Sequence, residues 1–221
     1  MSAGDDPTGD PPDDRTRWNR RYAAVAPLDD PGPPAAMARL AGALPDPAGL
    51  QAGPVVDLAG GTGEGARLLG RRLRRPAVLV DVSDEALSIA ADRAAEDGTA
   101  LTTFRLDLAG RELSDVVADL CSRPGFGPIP PSVVTCTHYL DRTLLGSVAA
   151  GLPPGGAFGC SIATVVNLER HQRPSARFLL EPGELPALVV GSTIAVDVLH
   201  QEEGWTPEGT HEAALVVRRP R

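Results

Sequence analysis

Residues 55–69, VVDLAGGTGEGARLL, combine an acid with a run of glycines. Gly61, Gly63 and Ala66 fit the G-x-G-x-x-A spacing that lets a backbone turn approach a nucleotide closely. Asp57 precedes them, near the place where the pyrophosphate of a dinucleotide would lie. Like charges about 4 Å apart cost about 4 kcal/mol at an effective dielectric constant near 20. Asp57 therefore disfavours a dinucleotide and suits a ligand that carries an ammonium group.

Two more acids follow the next two apolar segments. Asp81 ends the segment AVLVD, where a carboxylate can accept hydrogen bonds from both ribose hydroxyls. Asp107 lies in RLDLAG, where its carboxylate can accept a bond from the adenine amino group. S-adenosylmethionine (SAM) combines ribose and adenine with an ammonium and a sulfonium group and has no phosphate. The three acids at strand ends therefore predict a SAM site, and the alternative is that Asp57 and Asp107 only cap loops or helices.

Strands that alternate with helices should place these acids together. After two short helices in residues 15–26 and 33–45, the pattern predicts five buried strands, each followed by a helix or a loop leading to one. This alternation is typical of a doubly wound, mostly parallel α/β sheet, whose ligands bind at the carboxyl ends of the strands. The last two segments, STIAVDVLHQ and EAALVVRR, predict a C-terminal antiparallel hairpin.

Composition narrows the class of protein. The chain has 221 residues and 42% hydrophobic residues, enough for one well-buried domain, which we place at residues 15–221. Residues 1–14 are acidic and rich in Pro and Gly, which predicts a disordered tail rather than a signal peptide. A net charge of −8 argues against nucleic acid or an anionic membrane as partner. The widely spaced cysteines predict neither disulfides nor a metal site, which is typical of a cytoplasmic protein.

These motifs resemble the class I SAM-dependent methyltransferases. VVDLAGGTGEG resembles their D-x-G-x-G-x-G motif, with Ala59 at a position that is usually Gly, and VLVDVS and FRLDL resemble their next two motifs. RWNRRY, HYLDR and RPSARFLLEPGELPAL are similar to bacterial small-molecule methyltransferases of the tellurite-resistance type. The resemblance implies a Rossmann-like, seven-stranded sheet of order 3-2-1-4-5-7-6. It also implies a SAM-dependent transferase that methylates a small molecule.

We expect the cofactor to contact residues at the strand ends and in the first helix. These are Arg21, Tyr22, Asp57, Ala59, Gly61, Thr62, Gly63, Asp81, Val82, Asp107, Leu108 and Thr137. Trp18, Arg21 and Tyr22 would form a lid over the cofactor, or else belong to a helix that simply packs on the sheet. We expect no metal site, and a homodimer is left open.

Three residues are candidates for catalysis on the acceptor side. His138 follows the fourth strand and could act as a general base or as a structural histidine. Arg177, preferred to Arg173, could hold an anionic group of the acceptor or form a surface ion pair. His211 opens the last strand and is a second candidate base.

The sequence does not identify the acceptor itself. A thiol or chalcogen oxyanion needs no base, whereas a hydroxyl group does, and the resemblance favours the soft nucleophile. A non-catalytic protein that binds SAM, or a partner, on the same fold is the alternative to an enzyme.

Overall fold

A central sheet with helices on both faces organises the computed structural model, which describes residues 13–24, 30–172, 174–191 and 193–221. Residues 1–12 of the predicted tail lie outside the described residues, whereas Asp13 caps the first helix and accepts a hydrogen bond from the Thr16 N–H. No helix in the described ranges is long and apolar enough to cross a membrane.

The sheet has seven strands in the order β3-β2-β1-β4-β5-β7-β6. Strands β1 to β5 pair in parallel, and β7 pairs antiparallel with both β5 and β6. The predicted α/β fold, its strand order and its C-terminal hairpin are thus confirmed. The strands are β1 (Val55–Leu58), β2 (Ala77–Asp81), β3 (Leu101–Arg105), β4 (Val133–Thr137), β5 (Ala157–Ala163), β6 (Asp197–Trp205) and β7 (His211–Arg218).

Eight α-helices in the described part of the chain connect and flank these strands. They are α1 (Asp14–Ala23), α2 (Ala35–Ala43), α3 (Glu64–Leu73), α4 (Asp84–Asp97), α5 (Leu113–Ser122), α6 (Arg142–Gly146), α7 (Val148–Gly151) and α8 (Glu184–Val190). Short 3-10 helices cover residues 47–49, 165–169 and 176–178. Helix α3 ends in a run of arginines, where cations interact favourably with the helix dipole.

The hydrophobic core has one cluster on each face of the sheet. On one face, Phe158 and Ile162 pack with Leu113 of α5 and Leu144 of α6. On the other, side chains of α2, α3 and α4 pack on Val55, Leu79 and Val216. Strands buried on both faces are typical of parallel sheets.

Several elements differ from their predicted bounds, among them the helix after β4 and strand β6. The segment DRTLLGSVAAGL, expected as one helix, divides into α6 and α7 at Ser147. There the Ser147 hydroxyl donates to the Leu144 carbonyl and accepts from the Leu113 N–H, which ties the break to α5. Strand β6, expected at residues 192–201, runs from Asp197 to Trp205 because its pairing with β7 continues as far as His211.

Candidate cofactor-binding and active site

A cleft of about 370 Å³ opens at the carboxyl edge of the parallel strands. The loops that follow β1, β2, β3 and β4 form its floor, and α1 covers one side. This is the edge at which doubly wound sheets bind their ligands, because the connections on the two sides of the switch point diverge there.

The glycine loop after β1 forms the centre of the floor. Ala59, Gly61 and Thr62 line the cleft, and Ala59 and Gly61 have φ angles of 51° and 57°. Gly63 does not line the cleft. It is the left-handed N-cap of α3, and a Cβ atom there would lie 2.9 Å from Ala90 Cβ, so this glycine allows α3 and α4 to approach closely.

Asp57 lies beneath this loop with 2% of its surface exposed. Its Oδ1 accepts a hydrogen bond of 2.8 Å from the hydroxyl of Thr135, its register partner on β4. Burial raises the pKa of Asp57 to about 7, aided by the charges of Asp81 and Glu64 and opposed by the Thr135 bond. A cation bound in the cleft would favour the ionised form of this carboxyl.

Asp81 ends β2 and faces the glycine loop directly. Its Oδ2 accepts the Gly61 N–H at 2.9 Å, and its Oδ1 accepts the Ser83 N–H at 2.9 Å. Burial raises the pKa of this carboxyl, and the backbone hydrogen bonds oppose the rise. The carboxylate therefore fixes the loop, and each oxygen keeps a lone pair for a hydroxyl donor in the cleft. Val82 lines the cleft beside it.

Asp107 and Leu108 line the same cleft from the loop after β3. The strand was expected to continue to Asp107, but it ends at Arg105. Asp107 instead lies in a turn in which its Oδ1 accepts the Ala109 N–H at 3.0 Å. The three predicted acids, Asp57, Asp81 and Asp107, thus converge on one cleft.

The end of β4 supplies Thr137, His138 and Tyr139 to the cleft. His138 has a φ of 58°, and its N–H donates to the Ser161 carbonyl at 2.9 Å. This left-handed backbone, uncommon outside glycine, places the exposed imidazole at the cleft. Tyr139 packs partly against the core and also lines the cleft.

Helix α1 brings Trp18, Arg21 and Tyr22 to the cleft. The Tyr22 hydroxyl lies so close to Gly61 that a Cβ atom there would be 2.6 Å from it. Burial raises the pKa of Tyr22 to about 12, and the Asp81 charge adds to this. Asn19 Oδ1 accepts a 2.7 Å hydrogen bond from the Ser83 hydroxyl, which holds α1 against the start of α4.

Glu64, the first residue of α3, was not identified from the sequence. It lines the cleft, forms a buried ion pair with Arg93 and accepts a 2.7 Å hydrogen bond from the Thr62 hydroxyl. The signal was present, since an acid that opens the helix after a glycine loop must lie beside the ligand of that loop.

Two of the predicted catalytic residues lie outside the residues that line the cleft. Arg177 is exposed, with its guanidinium 4.5 Å from the centroid of Phe178. His211 Nδ1 is 2.7 Å from Thr164 Oγ1, and its ring packs edge-on against Trp205. Arg173 lies outside the described residues. Of the candidates for catalysis, the structure brings only His138 to the acids.

Comparison with solved structures relates the fold to known proteins. A SAM-dependent methyltransferase from Anabaena variabilis superimposes with a TM-score of 0.60 and 20% identity, covering 93% of each chain. Geranyl diphosphate C-methyltransferase from Streptomyces coelicolor A3(2), in complex with Mg²⁺, geranyl diphosphate and S-adenosyl-L-homocysteine, superimposes with a TM-score of 0.59 and 12% identity, covering 93% of this chain and 97% of that one.

TehB from Haemophilus influenzae is a third similar structure, with a TM-score of 0.57 and 12% identity over 93% of this chain and 66% of that one. No protein-family model and no curated protein sequence matches the chain. At these identities the likeness concerns the fold. The chain therefore has the fold of the SAM-dependent methyltransferases.

Proposed function

We propose that this protein transfers a methyl group from SAM to a small-molecule acceptor. The observation that carries the proposal is the convergence of Asp57, Asp81 and Asp107 on one cleft beside a glycine loop. An acidic cleft suits a cationic nucleoside and repels the pyrophosphate of a dinucleotide. The fold shared with SAM-dependent methyltransferases supports the same conclusion.

The residues of the cleft fit the parts of SAM. Asp81 would accept the ribose hydroxyls, since its oxygens use one hydrogen bond each on the backbone. Asp107 would accept the adenine amino group. The ammonium group would lie near Asp57, whose ionised form a nearby cation favours. Because Gly61 has no side chain, the space beneath the Tyr22 hydroxyl stays open, whereas a Cβ atom at this position would fill it.

When bound, SAM supplies an electrophilic methyl group and a thioether that leaves without charge. The protein has then to align the acceptor and exclude water, effects worth up to about 7–11 kcal/mol in favourable cases. Helix α1 covers the cleft and would exclude water. His138 would take the proton of a hydroxyl acceptor.

Calorimetry tests the cofactor directly. We expect SAM and its demethylated product to bind in the micromolar range and NAD not to bind. Asp81→Ala should weaken SAM binding by about 1.5–3 kcal/mol, because it removes charge-assisted hydrogen bonds. Asp92→Ala, on the exposed side of α4, is the matched control and should bind normally.

Two results would count against parts of the proposal. If the protein binds NAD and does not bind SAM, the cleft is a dinucleotide site and the proposed cofactor is wrong. Binding of SAM without methyl transfer to a panel of phenols, thiols and oxyanions would favour a non-catalytic SAM-binding protein.

A further inference from the structure

The cofactor proposed above has one charged group that the acids of the cleft do not bind. Asp107, Asp81 and Asp57 account for its adenine, its ribose and its ammonium group, whereas carboxylate side chains repel the carboxylate of its amino-acid part. That carboxylate needs hydrogen-bond donors, and charged donors bind it most strongly. The chain has no lysine, and among the described residues that line the cleft Arg21 carries the only guanidinium group.

Arg21 is available for such a contact. Its guanidinium group lies 4.9 Å from the centroid of the Trp18 ring, and it has no carboxylate partner in the part of the chain that the structure describes. Arg17, whose guanidinium group also lies over Trp18, is instead paired with Asp14 at 2.9 Å. A cation–π contact leaves N–H groups of a guanidinium for an anion, so Arg21 can bind a carboxylate without losing an ion pair.

Tyr22, the next residue, supplies a second donor beside Arg21. Its hydroxyl lies over Gly61 and forms no hydrogen bond with the described residues. Burial raises the pKa of Tyr22 to about 12, so the hydroxyl keeps its proton, and the charge of Arg21 opposes this rise because the two groups are close. A neutral hydroxyl beside a guanidinium group can donate to the second oxygen of the same carboxylate.

Helix α1 places these two donors at the end of the cleft that suits an amino acid. At its start, the charge of Asp14 acts on Tyr139, as does that of Asp107, the proposed adenine acceptor. Arg21 follows Asp14 by about two helical turns, or about 10 Å. There the charge of Asp81, the proposed ribose acceptor, acts on Tyr22. The order along α1 therefore matches the order of adenine, ribose and amino acid in SAM.

Building on the cofactor proposed above, we propose that Arg21 and Tyr22 bind the carboxylate of the amino-acid part of SAM. The guanidinium group of Arg21 donates charge-assisted hydrogen bonds, and the Tyr22 hydroxyl donates to the other oxygen. The site selects nucleosides that carry a complete amino acid over those that carry only an amine. It also fastens α1, which has no buried residue and is held by polar contacts such as that between Asn19 and Ser83.

A matched pair of ligands tests this site by calorimetry. They are SAM and decarboxylated SAM, in which a hydrogen atom replaces the carboxylate. We expect the wild type to bind SAM about tenfold or more tightly than decarboxylated SAM, because only SAM forms the charge-assisted bonds. Arg21→Gln should raise the Kd of SAM about tenfold without raising that of decarboxylated SAM. Tyr22→Phe should produce the same pattern with a smaller change of about threefold.

Arg20→Gln is the matched control, since it removes the same charge from α1 at an exposed residue outside the cleft lining. It should bind both ligands like the wild type. Equal Kd values of SAM and decarboxylated SAM for the wild type would overturn the site. An equal rise of both Kd values in Arg21→Gln would also overturn it, because Arg21 would then act on the fold of α1 and not on the carboxylate.

The proposed function and this site fail in different ways. If neither ligand binds, the proposed cofactor is wrong and the carboxylate site falls with it. If both bind equally tightly, the cofactor stands and only the site at Arg21 is wrong. Amide hydrogen exchange gives a second readout without turnover: with both ligands at saturation, SAM should slow exchange in α1 more than decarboxylated SAM does. Equal slowing by the two ligands would show that α1 does not bind the carboxylate.

Discussion

The Asp57 carboxyl has a pKa of about 7 because it is buried beside Asp81 and Glu64. Its pKa in the unfolded chain is near 3.8. Between these values the folded chain holds a proton that the unfolded chain has released. The stabilising effect of the protonated carboxyl is therefore complete below about pH 4 and lost as the pH rises through about 7.

Asp57→Asn should remove this pH dependence, because the amide does not titrate and can still accept the Thr135 bond. Relative to the variant, the wild type should lose about 2–3 kcal/mol of unfolding free energy between pH 5 and pH 8, because about two pKa units lie in this range and each corresponds to about 1.4 kcal/mol. Urea unfolding of both proteins at four pH values measures this. If the difference in unfolding free energy between wild type and variant does not change with pH, Asp57 is ionised over the whole range.

His138 is the predicted catalytic residue that reaches the cleft, and its φ of 58° restricts the choice of variant. Asn tolerates left-handed backbone, so His138→Asn removes the imidazole with little change of conformation. For a hydroxyl acceptor, turnover should fall about 10²–10⁴-fold with unchanged SAM affinity. Turnover of the variant should recover at high pH, because the acceptor hydroxyl then ionises without a general base.

A pH–rate profile of wild type and variant checks this role, with His200→Ala on the edge strand β6 as the control. A loss of only a few-fold would indicate an acceptor that is already ionised. A large loss that does not recover at high pH would leave His138 a positioning residue.

At the scale of elements, helix α3 ends in left-handed backbone that is occupied by an arginine rather than a glycine. Its C-cap, Arg74, has a φ of 52°, and its N–H donates to the Arg71 carbonyl. Left-handed backbone costs a non-glycine residue about 1 kcal/mol, which glycine avoids. Arg74→Gly should therefore be more stable than Arg74→Ala by about 0.5–1 kcal/mol in urea unfolding. Equal stability of the two variants would show that the left-handed turn is not strained.

Local patterns predicted some elements well and others only in part. Helix α4 begins and ends as predicted, because Ser83 caps it through the Ala86 N–H and Gly98 ends it in left-handed backbone. Strand β6 extends through Glu202 and Glu203, which have low strand propensity, because its ladder with β7 outweighs local preference. The partners of these two residues, Ala214 and Ala213, lie on the next strand, so the extension of β6 follows only from the register of the hairpin, which the alternation of residue types in β6 alone does not give.

The site was predictable for the same reason that the sheet was. Parallel strands end at a common edge, so acids at or just after the ends of three neighbouring strands were expected to meet. The sequence placed Arg21 and Tyr22 at the cofactor but did not decide between a lid and a packing helix, because the position of α1 depends on single long-range contacts such as Asn19 with Ser83. The left-handed backbone of His138 likewise depends on its bond to Ser161 of the neighbouring strand.

At the scale of the whole molecule, one hydrophobic cluster packs on each face of the sheet, and the cleft lies at the edge of the sheet between them. When the cleft holds no cation, the charges of Asp81 and Glu64 act on the buried Asp57 carboxyl and help to raise its pKa. A bound cation offsets these charges, so ligand binding should stabilise the entire fold, and thermal unfolding should report it.

SAM at about 100 times its Kd should stabilise the protein by about 2.7 kcal/mol, because it binds the folded chain alone. For a chain of this size each kcal/mol raises Tm by about 2–4 °C, so we expect a rise of about 5–11 °C. At the same SAM concentration, Asp81→Ala should show about half of this stabilisation or less, since its weaker binding lowers the ratio of ligand to Kd. NAD should leave Tm unchanged. A shift with NAD and none with SAM would mean that the acidic cleft binds a dinucleotide despite Asp57, and the cofactor assignment would be wrong.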